Sequence, residues 1–195
     1  MFIKNLLLAL FFLLFISLKA AAQQFPCGEV IKFYMPGDVK HNEHNFELNE
    51  GGVAKVHQYI SKKNVDNFYI AVNVMCQILE GQTYTGSSEE WLNFFNTSIG
   101  NFSKSQYENI KFTLLGENER VVKNSKNSRE YFIVGNKGSD VQKVKSLALM
   151  STDKTIMLTL AISGNEAIST EIDNLYHNLA SYIGKSIEEP IVVVK

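Results

Sequence analysis

The stretch VQKVKSLALM (Val141–Met150), STD (Ser151–Asp153), TIMLTLAI (Thr155–Ile162) decides the fold class of this chain. Two runs rich in Val, Leu, Ile and Thr are joined by a short polar turn. Such a turn has no room for a crossover helix, so the two runs pair antiparallel. The periodicity then changes. Ile168, Ile172, Leu175, Tyr176, Leu179 and Ile183 recur at helical spacing. Ser163 and Glu166 fit a capping box ahead of that stripe, and Gly184 is a natural stop behind it.

The texture repeats toward the N-terminus. Tyr131–Val134, a brief continuation at Arg120–Lys123, and Ile110, Phe112 and Leu114 alternate in β fashion, with turns at 116–118, 124–127 and 135–138. Before them, Ser87 and Glu90 form another S-x-x-E signal. Trp91, Leu92, Phe95, Ile99 and Phe102 then predict an amphipathic helix over about 88–104. Phe94 falls about 100° off that stripe, so it either widens the buried face or stands exposed. Further back, Phe68, Ile70, Val72, Val74 and Cys76 alternate with partly apolar neighbours, as in a strand covered on both faces. Val53–Ile60 and Val30–Met35 read as strands. Lys40–Glu50 reads as a polar loop holding a short strand around Phe46 and Leu48. Helices separated by runs of antiparallel strands give an α+β class, an antiparallel β-sheet with two long helices packed on it. No interdomain linker or repeat interrupts residues 23–195, so a single domain is expected, with its core at about 28–185 and a tail at 186–195.

The N-terminal 22 residues have a separate logic. Lys4 precedes an apolar run from Leu6 to Ile16, and Ala20-Ala21-Ala22 precedes Gln23. This is the pattern of a secretory signal peptide, residues 1–22, with cleavage expected after Ala22. The run is about 11 residues, against the ~20 that a transmembrane helix needs, so no stable membrane span is expected after cleavage. A secreted or periplasmic location follows. In such an oxidising compartment the two cysteines, Cys27 and Cys76, are expected to form a disulfide. Removing Lys4 and Lys19 from the 19 basic residues leaves 17 against 20 acidic ones, a net charge of −3. That balance provides no electrostatic basis for nucleic acid as a partner.

The element order, together with Phe33-Tyr34-Met35-Pro36-Gly37, resembles the PsbP-like fold. That fold is shared by the extrinsic subunit of the plant oxygen-evolving complex and by many exported bacterial proteins. Glu89-Glu90-Trp91-Leu92 sits where the first helix of those domains sits. Ile156-Met157-Leu158-Thr159-Leu160 and the helix to Ile183 look like their last strand and C-terminal helix. The resemblance spans most of 28–185 and implies an α/β sandwich acting as an accessory or interaction protein. It carries over no functional residue.

Candidate chemistry is sparse. His41 and His44, with Glu43 and Glu47, are the one metal-like cluster, since imidazole and carboxylate suit zinc. Residues three apart on a strand point to opposite faces, however, so the expected metal set is none and the expected cofactor set is none. His57 and His177 read as exposed and show no nucleophile partner. No nucleophile elbow or phosphate loop occurs, and no catalytic residue is assigned. Lys123, Lys126 and Arg129 form a small basic loop. The leading expectation is an exported accessory or binding protein for a protein partner in the envelope or outside the cell, working through the polar 38–52 and 117–129 segments. The alternatives are a carrier of a small apolar ligand between helices and sheet, and a metal-binding or hydrolytic protein using His41 and His44. A cavity of a few hundred Å³ separates the carrier from the first reading.

Overall fold

The structure, a computed structural model, describes residues 23–48, 51–123 and 125–188. The signal peptide at 1–22 and the tail from residue 189 lie outside the described residues. In chain order the elements are β1 (Gln23–Cys27), β2 (Ile31–Met35), β3 (Val39–Glu47), β4 (Val53–Val65), β5 (Phe68–Glu80), α1 (Ser88–Lys104), β6 (Glu108–Leu114), β7 (Ser128–Lys137), β8 (Asp140–Met150), β9 (Ile156–Asn165) and α2 (Ser169–Glu188). β1 and β2 form a two-stranded ribbon. The rest make a seven-stranded sheet in the order β3-β4-β5-β9-β8-β7-β6, every pair antiparallel. Two meanders, β3-β4-β5 and β6-β7-β8-β9, therefore meet at the β5–β9 pair.

Strand alternation sends successive side chains to opposite faces, and each face has its own core. Ile70, Val72, Val74, Leu147, Leu149, Leu158, Leu160 and Ile162 point to one face, where the β1-β2 ribbon and α2 cover them. Tyr131, Ile133, Ala148, Met150 and Met157 point to the other, where Trp91 and Phe95 of α1 cover them. The two helices thus lie on opposite sides of the sheet. Among the described residues, α1 covers the β6-β7-β8 half of its face and no element covers the β3-β4-β5 half.

Several local expectations are corrected. Gln23–Cys27 is a strand ahead of the expected first one at Val30–Met35. Pro26 fits there because each strand of a two-stranded ribbon has an outer edge that needs no donor. The 38–52 segment is chiefly a nine-residue strand, paired residue for residue with β4 from Val39↔Ser61 to Glu47↔Val53. Its polarity marks an exposed edge strand, where charged side chains block further pairing. Residues 120–123 are not a strand. Val121 and Val122 instead donate their backbone N–H groups to the Glu130 carboxylate at 3.1 and 2.7 Å. Ser163 lies within β9, and the cap before α2 is Asn165, whose side chain accepts from the Ala167 N–H at 2.8 Å. Gly184 does not end α2. It lies mid-helix, where an added Cβ would come within 3.3 Å of Val122, so the glycine permits the loop to approach. Leu92 faces solvent rather than the stripe.

Candidate functional site

The disulfide is present. Cys27 in β1 is bonded to Cys76 in β5, with Cα atoms 5.5 Å apart. It fastens the ribbon onto the sheet, and an aromatic group packs beside it. Phe25 and Phe33 of the ribbon meet Tyr59 of β4 at centroid distances of 4.8 and 5.1 Å. Burial raises the Tyr59 pKa, and the Glu43 carboxylate adds to the rise.

The same face holds a histidine cluster. Cross-strand register places His41 opposite Tyr59, and Glu43 opposite His57, which is itself opposite Cys76. The His41 ring stacks on Tyr59 at 4.5 Å and 13°. His41 Nε2 and His57 Nδ1 are 3.4 Å apart, and Glu43 Oε2 lies 3.7 Å from His57 Nδ1. His44 points to the opposite face, as three-residue spacing on a strand requires. Of the cluster read from the sequence, the ladder therefore keeps His41 and Glu43, drops His44, and adds His57. The signal that could have found His57 was the β3-β4 register, which depends on where the Gly51-Gly52 turn falls. His177 is exposed on α2.

On the other face a groove of about 390 Å³ runs between α1 and the β5–β9 strands. Met75, Met157, Thr159, Phe94, Ser98 and Tyr84 line it. Phe94 is half-buried and packs edge-on against Trp91 and Tyr131, so it widens the α1 stripe and also walls the groove. Ser98 Oγ is 3.2 Å from the Tyr131 hydroxyl. Tyr84 is 9% exposed, and its hydroxyl is buried with no hydrogen-bond partner among the described residues. Burial raises its pKa strongly and the Glu90 carboxylate adds to the effect, so the phenol is neutral at physiological pH. Glu90 stands at the groove rim, held by the Gly86 N–H at 2.7 Å and the Thr85 hydroxyl at 3.0 Å. Sequence reasoning missed Tyr84, which sits between the Gly81 and Gly86 turns without a periodic pattern around it.

The three basic residues do not all converge: Lys123 and Lys126 share a hollow of about 410 Å³ with Arg120 and Glu117, and Arg129 stands apart from it. Lys123 and Lys126 are exposed, whereas Arg129 turns inward. Its guanidinium lies 4.9 Å from the Trp91 ring centroid and donates to the carbonyls of Lys126 and Ser128. Among the described residues no helix is long and apolar enough to cross a membrane. Compared with known proteins, the chain matches no family model, no curated protein and no solved structure.

Proposed function

We propose that this is an exported binding protein that holds a small, neutral, largely apolar ligand in the groove between α1 and the β5–β9 strands. The observation that carries the reading is the groove itself, about 390 Å³ and walled by Met75, Phe94 and Met157. A concave, largely apolar hollow of a few hundred Å³ with a few polar groups at its edge is the form that small-molecule sites take. The methionine floor of Met75 and Met157 supplies an adaptable apolar surface. Glu90 at the rim disfavours an anionic ligand. Export is supported by the leader-like residues 1–22 and by the disulfide, which suits an oxidising compartment. The PsbP-like reading belongs to the same proposal: the strand, helix and strand order supports it, and such domains serve as accessory proteins.

The test uses N-phenyl-1-naphthylamine, a neutral apolar fluorophore, titrated into the purified protein. Saturable one-to-one enhancement is expected, together with a change in emission of Trp91, the single tryptophan, which packs against Phe94. Met75→Glu, placing a charge on the half-buried floor, should abolish the enhancement. Tyr84→Phe should leave unfolding midpoints unchanged or raised, because it removes an unpaired polar group. Equal probe binding by Met75→Glu and the parent protein would overturn the reading.

A further inference from the structure

We propose that His41, Glu43 and His57 form a binding site for a late first-row divalent cation, with zinc as the representative ion. Two imidazole nitrogens and a carboxylate oxygen are the donor set such ions prefer, whereas calcium and magnesium take all-oxygen shells. The distances agree with the chemistry. Two ligands held about 2.0–2.1 Å from a tetrahedral ion lie roughly 3.3–3.4 Å from each other. His41 Nε2 and His57 Nδ1 are 3.4 Å apart. The same separation is long for a direct hydrogen bond, for which about 2.7–3.2 Å is usual. Glu43 Oε2 is 3.7 Å from His57 Nδ1, a few tenths of an ångström beyond that ligand–ligand spacing. All three donor atoms lie within 4.8 Å of one another.

The site is held in shape before any ion arrives. The β3-β4 ladder sets Glu43 directly opposite His57. Stacking on Tyr59 fixes the His41 ring, and Tyr59 is itself clamped by Phe25 and Phe33 of the disulfide-tethered ribbon. Ligands already held in place lose less freedom when an ion binds than a chance histidine pair does. Three protein ligands leave a fourth position open toward solvent, because His41 and Glu43 lie on the exposed edge strand. The site lies on the opposite face of the sheet from the groove, so its test and the ligand test stand or fall separately.

Zinc chloride titrated calorimetrically into chelator-treated protein should bind at one ion per chain and raise the unfolding midpoint. Cobalt(II) should give the intense visible bands of a low-coordinate site. His41→Ala and His57→Ala should each weaken zinc binding at least tenfold, about the least that loss of even an outer partner costs. Glu43→Gln should also weaken it. His44→Ala, on the opposite face, should bind as the parent does. In the parent protein, ¹⁵N shifts of His41 Nε2 and His57 Nδ1 on zinc addition read the same contacts without any variant. Absence of stoichiometric binding, unshifted ring nitrogens, or equal dependence on His44 would overturn the assignment.

Discussion

Glu130 shows how far a single side chain organises this molecule. It is fully buried at the head of β7, and its carboxylate accepts from the Val122 N–H, the Val121 N–H and the Tyr176 hydroxyl at 2.7, 3.1 and 2.8 Å. One residue thereby fastens the 117–123 segment and α2 to the same strand. Burial pushes the Tyr176 phenol well up, and Glu130 pushes it further, so the phenol remains the donor. Glu130→Ala would strand the Val121 and Val122 N–H groups, leave the Tyr176 hydroxyl only the Ser146 carbonyl at 3.2 Å, and open a cavity, at a cost of about 3 kcal/mol. Urea denaturation at unchanged m-value is the measurement, and an unshifted midpoint would show that Glu130 anchors nothing. Neither Glu130 nor His57 was legible as important in the sequence. Burial of a carboxylate and pairing across strands are properties of neighbours that come from 8 to 46 residues away in the chain. By contrast, Ser87 was legible. Its hydroxyl accepts from the Glu90 N–H at 3.2 Å, because a cap depends only on residues within one turn.

At the level of elements, α2 is locked to β8 by charge as well as by its apolar stripe. Lys143 and Lys145, two apart and so on one face of the strand, donate to the two oxygens of Asp173 at 3.0 and 3.1 Å. Burial raises the Asp173 pKa, and the two lysines lower it by more, so the net direction is down from its ordinary 3.8. A carboxyl depressed in the folded state contributes stability above its unfolded value and loses it as pH falls through the lower, folded value. Thermal unfolding should therefore show a loss below about pH 4 that Asp173→Asn flattens. At neutral pH the same variant should cost less than about 1 kcal/mol, since the pair is partly exposed. An unaltered acid limb in Asp173→Asn would rule the clamp out. Element existence was largely readable: α1 spans the expected 88–104, and the β8–β9 hairpin has its expected turn. Misreadings arose where two local rules competed. Ser163 fits a capping box but continues the β9 ladder, opposite Ala71 and Val144, and sheet pairing outweighs a cap available two residues later at Asn165.

For the whole molecule, the disulfide joins residues 49 apart and holds the ribbon against the sheet. The chain-entropy relation sets its contribution at about 4 kcal/mol for a loop of this size. Replacing both cysteines by serine should lower stability by up to that amount, measured by denaturant titration, and should loosen the Phe25, Phe33 and Tyr59 packing. Unchanged stability would mean that ribbon contacts with α2, such as Tyr34 against Tyr182 at 4.9 Å, suffice alone. The sequence by itself determined the α+β class, the antiparallel pairing of neighbouring strands, both helices and the pairing of the only two cysteines. Each depends on local periodicity, turn length or counting. Only the tertiary structure decided that the helices lie on opposite faces, that β9 inserts beside β5, and that α1 covers only half of one face. It also decided that His57 rather than His44 joins His41 and Glu43. Those outcomes depend on register and on which strand edges meet across long loops, and the free energy that selects them comes from contacts between segments far apart in the chain.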